Sequence, residues 1–194
     1  MARLKEGYVQ VYTGNGKGKT TAAMGLAFRA AGDGMEVKVV QFLKSWKTGE
    51  LESAKRFDNL EILRFEKVKG FTWELNEEEL AQLKSEVRVG FDFVKGLVEN
   101  RGCDILILDE VMASISGGFI GEDEIVELIE KKPKDMELIL TGRNVPEKIM
   151  EKADLITEMR EIKHYYKKGV PATFFKYSSG SPFRISSAYA SGSL

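Results

Sequence analysis

The chain has 194 residues, 43% of them hydrophobic and 30% charged, which describes one globular domain, two at most, and excludes a chain too polar to bury a core. Twenty-nine Lys and Arg against 30 Asp and Glu leave a formal net charge of −1, so the overall cationic field of a general nucleic-acid binder is missing. The single cysteine, Cys103, excludes an internal disulfide framework and a cysteine-based zinc site, and no apolar run approaches the ~18 residues of a membrane span. With no signal-peptide core in MARLKEGYVQVY, the expected location is the cytoplasm, with neither nucleic acid nor membrane as a partner.

Apolar, β-branched runs alternate with helical patterns. Residues 8–12 (YVQVY) predict a strand, and the Ala-rich residues 20–31 predict a helix with Gly32 and Gly34 closing it. Residues 37–42 and 60–65 are the next strands. Asn76 with Glu79 three positions on has the form of a capping box opening a long helix. Leu80, Leu83, Val87, Phe91, Val94 and Val98 follow at three- and four-residue spacing and predict its buried stripe. The continuous run at 105–108 (ILIL) suits a central parallel strand covered on both faces. A helix over 122–132, a strand at 138–140, a helix over 146–153 and a strand over 155–159 complete the pattern.

Strand–helix alternation of this kind predicts an α/β, doubly wound domain with a mostly parallel sheet. Residues 1–177 read as one such domain, and 178–194 as an irregular Ser-rich tail. Cys103, placed just before a buried strand, reads as a small core residue.

Residues 13–21 (TGNGKGKTT) join the first strand to the first helix, the context and composition of a phosphate-binding loop. Gly14, Gly16 and Gly18 let successive backbone N–H groups turn inward on phosphate oxygens, and the helix start adds its own N–H groups and dipole. Lys19 supplies a point charge, and the Thr20 hydroxyl is placed to ligate Mg²⁺ or Mn²⁺. Thr13 departs from the generic pattern, which has glycine at that position. Asp109 and Glu110, at the carboxyl end of the ILIL strand, are the expected second half of the metal site, although such a pair alone would serve equally as a helix cap or a solvated turn. Arg143 ends the next strand on the same edge, either touching phosphate or turning the chain into a helix.

GNGKGKTTAA, VVQF, GFTWE at 70–74, LILDE, LTGR, ADLITEMR at 153–160 and IKH at 162–164 occur in that order. Together they resemble the P-loop class of ATP:corrinoid adenosyltransferases over about residues 9–169. What the resemblance implies is a RecA-like P-loop fold and a transferase. In that family the Co(I) of a corrinoid, cob(I)alamin or cob(I)yrinic acid a,c-diamide, attacks C5′ of ATP and triphosphate leaves whole. By position, Asn15, Gly16, Lys17, Gly18, Lys19, Thr20 and Thr21 would hold the triphosphate, with Thr13 and Gly14 leading into them. Thr20 and Glu110, with Asp109, would hold the metal, and Arg29 would lie near the nucleoside. Phe71 and Trp73 match aromatics on the corrinoid side, where an apolar wall excludes water and the lower axial ligand of cobalt. The same resemblance implies a homodimer and a reductase that delivers an electron to Co(II). Lys163 and His164 would lie near the corrinoid, His164 otherwise reading as a structural residue. The loop and Asp109 with Glu110 would serve as well in a RecA-like P-loop ATPase or switch acting on a macromolecule, where GFTWE would have no assigned purpose.

Overall fold

Six short runs rich in Val, Ile and Leu form β1 (Val9–Thr13), β2 (Val37–Gln41), β3 (Leu60–Leu63), β4 (Ile105–Asp109), β5 (Glu137–Thr141) and β6 (Leu155–Glu158). In this computed structural model they make one sheet in the order β3-β2-β4-β5-β1-β6, every pair parallel. The structure describes residues 4–68 and 72–165. The chain divides into two units, Met1–Ile162 and Lys163–Leu194, and every element named here belongs to the first. The Ser-rich segment 178–194 and the boundary at 177 lie outside the described residues.

The helices are α1 (Lys19–Gly32), α2 (Gly49–Ala54), α3 (Glu77–Glu99), α4 (Val111–Ser116), α5 (Glu122–Lys131) and α6 (Glu147–Lys152). All five residues of β4 and of β5 are buried, which is why those strands read as unbroken apolar runs in the sequence. Two apolar layers cover the sheet. One is built on Ala23, Ala27, Ala30 and Ala31 of α1, and the other on Val87, Phe91 and Val94 of α3 with Ile125 of α5. Register matters most at one edge. Tyr12 pairs with Thr141 and Gln41 with Asp109, so β1, β5, β4 and β2 finish side by side. Ligands in open parallel sheets collect at that carboxyl edge.

The Asn76–Glu79 capping box is present with both of its hydrogen bonds. The stripe of α3 differs from its prediction at the start. Leu80 is 39% exposed because the first turn and a half of the helix stands clear of the body, and burial begins at Leu83. Gly90 joins the stripe instead, letting the Phe65 ring lie against the helix where a Cβ would come within 3.0 Å of it. Gly32 is the last residue of α1, and Gly34, at φ 80°, makes the left-handed turn after it. Cys103 is 2% exposed, and burial pushes its thiol up to about 12, as expected for an inert core residue. Among the described residues no helix is long and apolar enough to cross a membrane.

Arg88 of α3 grips Glu124 of α5 with two parallel hydrogen bonds, each 2.8 Å. Those bonds bring the Glu124 carboxyl from 4.5 down to about 2. A carboxyl whose folded value is depressed stabilises fully above its unfolded value and loses that contribution as pH falls towards the folded one. Both side chains are about a third exposed, so solvent limits the pair to roughly 0.5–1 kcal/mol. In urea unfolding, Arg88→Met is expected to cost about that much at pH 7. The difference from the parent should shrink as the pH is lowered from about 4.5 towards 2.

Candidate nucleotide and corrinoid site

The loop after β1 is shaped by the chain that follows β6. Thr13 is still a strand residue, pairing with Glu158 and accepting a 2.8 Å hydrogen bond from the Met159 N–H, so the departure from glycine falls outside the turn itself. Gly14 (φ 99°) and Gly16 then pass so close to Met159 that a Cβ on either would sit 2.4 or 2.7 Å from its carbonyl oxygen. The Gly16 N–H donates to that same oxygen at 2.7 Å. The Lys19 side chain curls back over the loop and donates to the carbonyls of Gly14 (2.8 Å) and Gly16 (2.9 Å). Burial lowers the pKa of its ammonium from the ordinary 10.5.

Beside the loop, Asp109 is completely buried at the end of β4, and four side chains donate to its carboxylate. Its Oδ1 accepts from Thr20 Oγ1 (2.9 Å) and Thr141 Oγ1 (2.7 Å). Its Oδ2 accepts from Gln41 Nε2 (2.9 Å) and Lys44 Nζ (2.5 Å). Lys44 Nζ also donates to Thr20 Oγ1 at 3.2 Å. Gln41 is fixed in turn by Arg64, whose guanidinium donates to Gln41 Oε1 at 2.8 and 2.6 Å and to Thr48 Oγ1 at 2.6 Å. Glu110 takes the left-handed conformation (φ 63°) as its N–H donates to Thr141 Oγ1 at 2.9 Å. That turn frees its carboxylate from the Asp109 cluster, and the residue lines an adjoining cavity.

The cavity, about 510 Å³, lies among Leu43, Glu66, Thr72, Glu110, Phe119 and Arg143. Glu66 is 7% exposed, and burial raises its carboxyl pKa. Its Oε1 accepts from the Leu43 N–H at 3.3 Å, while Oε2 is buried with no hydrogen-bond partner among the described residues. Thr72, within the GFTWE motif, lies on this wall. Phe71 lies outside the described residues, and Trp73 belongs to a 3-10 turn (Thr72–Glu74) without a described side chain. Arg143 Nη2 reaches the Asn15 carbonyl at 3.5 Å, joining the end of β5 to the loop. Arg29 is separate from these. It is exposed on α1, ten residues and therefore about 15 Å beyond Lys19, on a groove shared with Ala22, Gly25 and Leu26.

A family model described as "ATP:corrinoid adenosyltransferase BtuR/CobO/CobP" matches residues 5–174. The chain belongs to that family. It is 34% identical to the corrinoid adenosyltransferase of Escherichia coli K12 over 173 residues, covering 88% of this chain and 85% of the relative. It is 34% identical to the corrinoid adenosyltransferase of Pseudomonas aeruginosa over 172 residues, covering 88% and 83%. Among solved structures, a KaiC-like protein of Pyrococcus horikoshii superposes with a TM-score of 0.50 at 16% identity, covering 80% of this chain and 73% of that one. That likeness shows a RecA-like P-loop fold. This adenosyltransferase is therefore a transferase that uses ATP and a corrinoid, and an ATPase or switch module is not favoured.

Four contributors to the cluster escape a reading of the loop and the LILDE segment alone: Gln41, Lys44, Arg64 and the Thr141 hydroxyl. Their signal is faint but present. Gln41 is a polar residue closing an apolar strand, with a lysine three positions later. Thr141→Val keeps the shape of the side chain but leaves the Glu110 N–H unpaired and removes one donor from Asp109. The expected loss is about 1–3 kcal/mol in urea unfolding.

Proposed function

We propose that this adenosyltransferase carries the 5′-deoxyadenosyl group of ATP to the Co(I) of a corrinoid and expels triphosphate whole. The cobalt electron pair forms the Co–C5′ bond, the C5′–O bond breaks, and its electrons leave on the triphosphate. One observation carries this reading: in a chain of this family, the loop lysine, a hydroxyl–carboxylate pair and a cavity lined by Thr72 meet at one edge of the sheet. Triphosphate departs readily only if its developing charge is held, and the chemistry needs no base to activate water. Lys19 already sits inside the loop, on two carbonyls it can exchange for phosphate oxygens. The N–H groups of Asn15 and of residues 17–21 complete the cradle, with Arg143 at its rim and Arg29 for the nucleoside.

The donors present fit Mg²⁺ or Mn²⁺. Thr20 Oγ1 and Asp109 Oδ1 are hard oxygens 2.9 Å apart, and the cationic nitrogen of Lys44 already lies against both residues. Thr20 and Glu110, with Asp109, would hold the metal, directly or through water. Among the described residues no group of three or more His, Cys, Asp and Glu gathers, so triphosphate and water would fill the remaining shell. Bound there, the ion would neutralise charge on the departing triphosphate.

Phe71 and Trp73 would wall the corrinoid pocket, keeping water and a lower ligand from the cobalt. A separate reductase supplying the electron, a homodimeric assembly and a cytoplasmic location belong to the same proposal. With chemically reduced corrinoid and ATP, the cobalt spectrum should become that of an alkylcobalt while triphosphate accumulates. Phosphate release with no alkylcobalt would contradict the proposal. Lys19→Ala should lower turnover by about 10²-fold or more with unchanged circular dichroism and thermal midpoint. Trp73→Ala should keep ATP binding and lose turnover that starts from Co(II); equal turnover would remove Trp73 from the wall.

A further inference from the structure

Lys44 has no part yet in the transfer reaction, although it makes one of the four side-chain hydrogen bonds to the Asp109 carboxylate. The backbone brings it there deliberately. After β2 the Phe42 N–H donates to the Asp109 carbonyl at 2.9 Å, and Leu43 takes a left-handed turn at φ 53°, a conformation unfavourable for leucine. Lys44 then comes back over the end of β4 with Nζ 2.5 Å from Asp109 Oδ2 and 3.2 Å from Thr20 Oγ1. Its side chain is 23% exposed and that of Asp109 is completely buried. A buried carboxylate requires a compensating charge, and here the protein supplies it from its own sequence.

The two residues that Lys44 contacts are among those assigned above to the divalent ion. An ammonium and a divalent cation cannot share them, because like charges at that separation repel strongly. We propose that Lys44 is a built-in counter-ion: it holds the cation position in the nucleotide-free protein and is displaced when the metal arrives with ATP. The inference rests on the placement of the metal at Thr20 and Asp109. Its consequence is coupling. Metal alone must evict the ammonium without recompense, whereas metal with triphosphate gains phosphate contacts that offset the eviction. By linkage, each ligand then strengthens the binding of the other.

Mn²⁺ is a suitable probe, because the free ion is counted directly by electron paramagnetic resonance. Titrations would use the full chain without corrinoid, as the parent and as Lys44→Met, which keeps the aliphatic stem and removes the charge. With Mn²⁺ alone, Lys44→Met should bind at least about tenfold more tightly than the parent. With ATP added, the two affinities should converge to within a few fold. Thermal melts give a second readout: without metal Lys44→Met should melt below the parent and recover on adding Mn²⁺, while Mn²⁺ alone leaves the parent unmoved. Lys44→Gln, which retains a donor, replaces Lys44→Met if the latter does not fold. Equal Mn²⁺ affinity of the parent and the folded variants without nucleotide would overturn the counter-ion. Thr20→Val separates this from the metal placement. If it leaves Mn²⁺ binding with ATP unchanged, the placement itself is wrong; if it weakens that binding while Lys44→Met matches the parent, only the role of Lys44 fails.

Discussion

A single buried carboxylate organises this site. Asp109 carries charge into a place with no water to solvate it, and it is tolerated only because hydroxyl, amide and ammonium donors converge on both of its oxygens. Those donors come from α1, β5, β2 and the segment that follows β2. Each must therefore be positioned before the charge is satisfied, and the phosphate-binding loop inherits its position from the same set of bonds through Thr20. Arg64 extends the constraint outward, since its hold on Gln41 ties the end of β3 and Thr48 to the same carboxylate.

Sheet order makes this convergence possible. With β5 between β1 and β4, the Thr141 hydroxyl lies between the loop and Asp109 and can bond to the carboxylate on one side and to the Glu110 N–H on the other. Glu110 is thereby turned out towards the cavity, so two adjacent carboxylates face different environments: one is enclosed by donors, the other is available at the wall where the acceptor would lie. A transfer from C5′ suits such an arrangement. In the proposed reaction the loop side would hold the anion and the cavity side would admit the corrinoid, and nothing between them would be required to activate water.

The parts of this architecture that were legible in the sequence are those set by local rules. β4 and β5 announce themselves as unbroken apolar runs because both faces are covered, and Asn76 with Glu79 announces the start of α3 because a capping box is a four-residue object. The glycines of the loop stand out because close passage past Met159 leaves no room for a Cβ at Gly14 or Gly16. Helices α2 and α4 have no counterpart in the sequence reading, although α6, also six residues long, does. Leu80 obeys the spacing of its helix yet is exposed, since periodicity reports a face and not where the body beneath it ends. Lys44 and Gln41 meet Asp109 across 65 and 68 residues of chain, and only the pairing of β2 with β4 creates that meeting. The aromatic wall assigned to Phe71 and Trp73 rests on the family motif alone.

In the proposed reaction carbon, and not phosphorus, is the centre attacked. ATP carrying a heavy oxygen isotope in the bridge between C5′ and the α-phosphorus decides it, with reduced corrinoid as acceptor and mass spectrometry of the products. Cleavage of the C5′–O bond sends the label out with triphosphate and leaves the adenosyl group bound to cobalt without it. Recovery of the label in ADP, with unlabelled inorganic phosphate as the other product, would contradict the account.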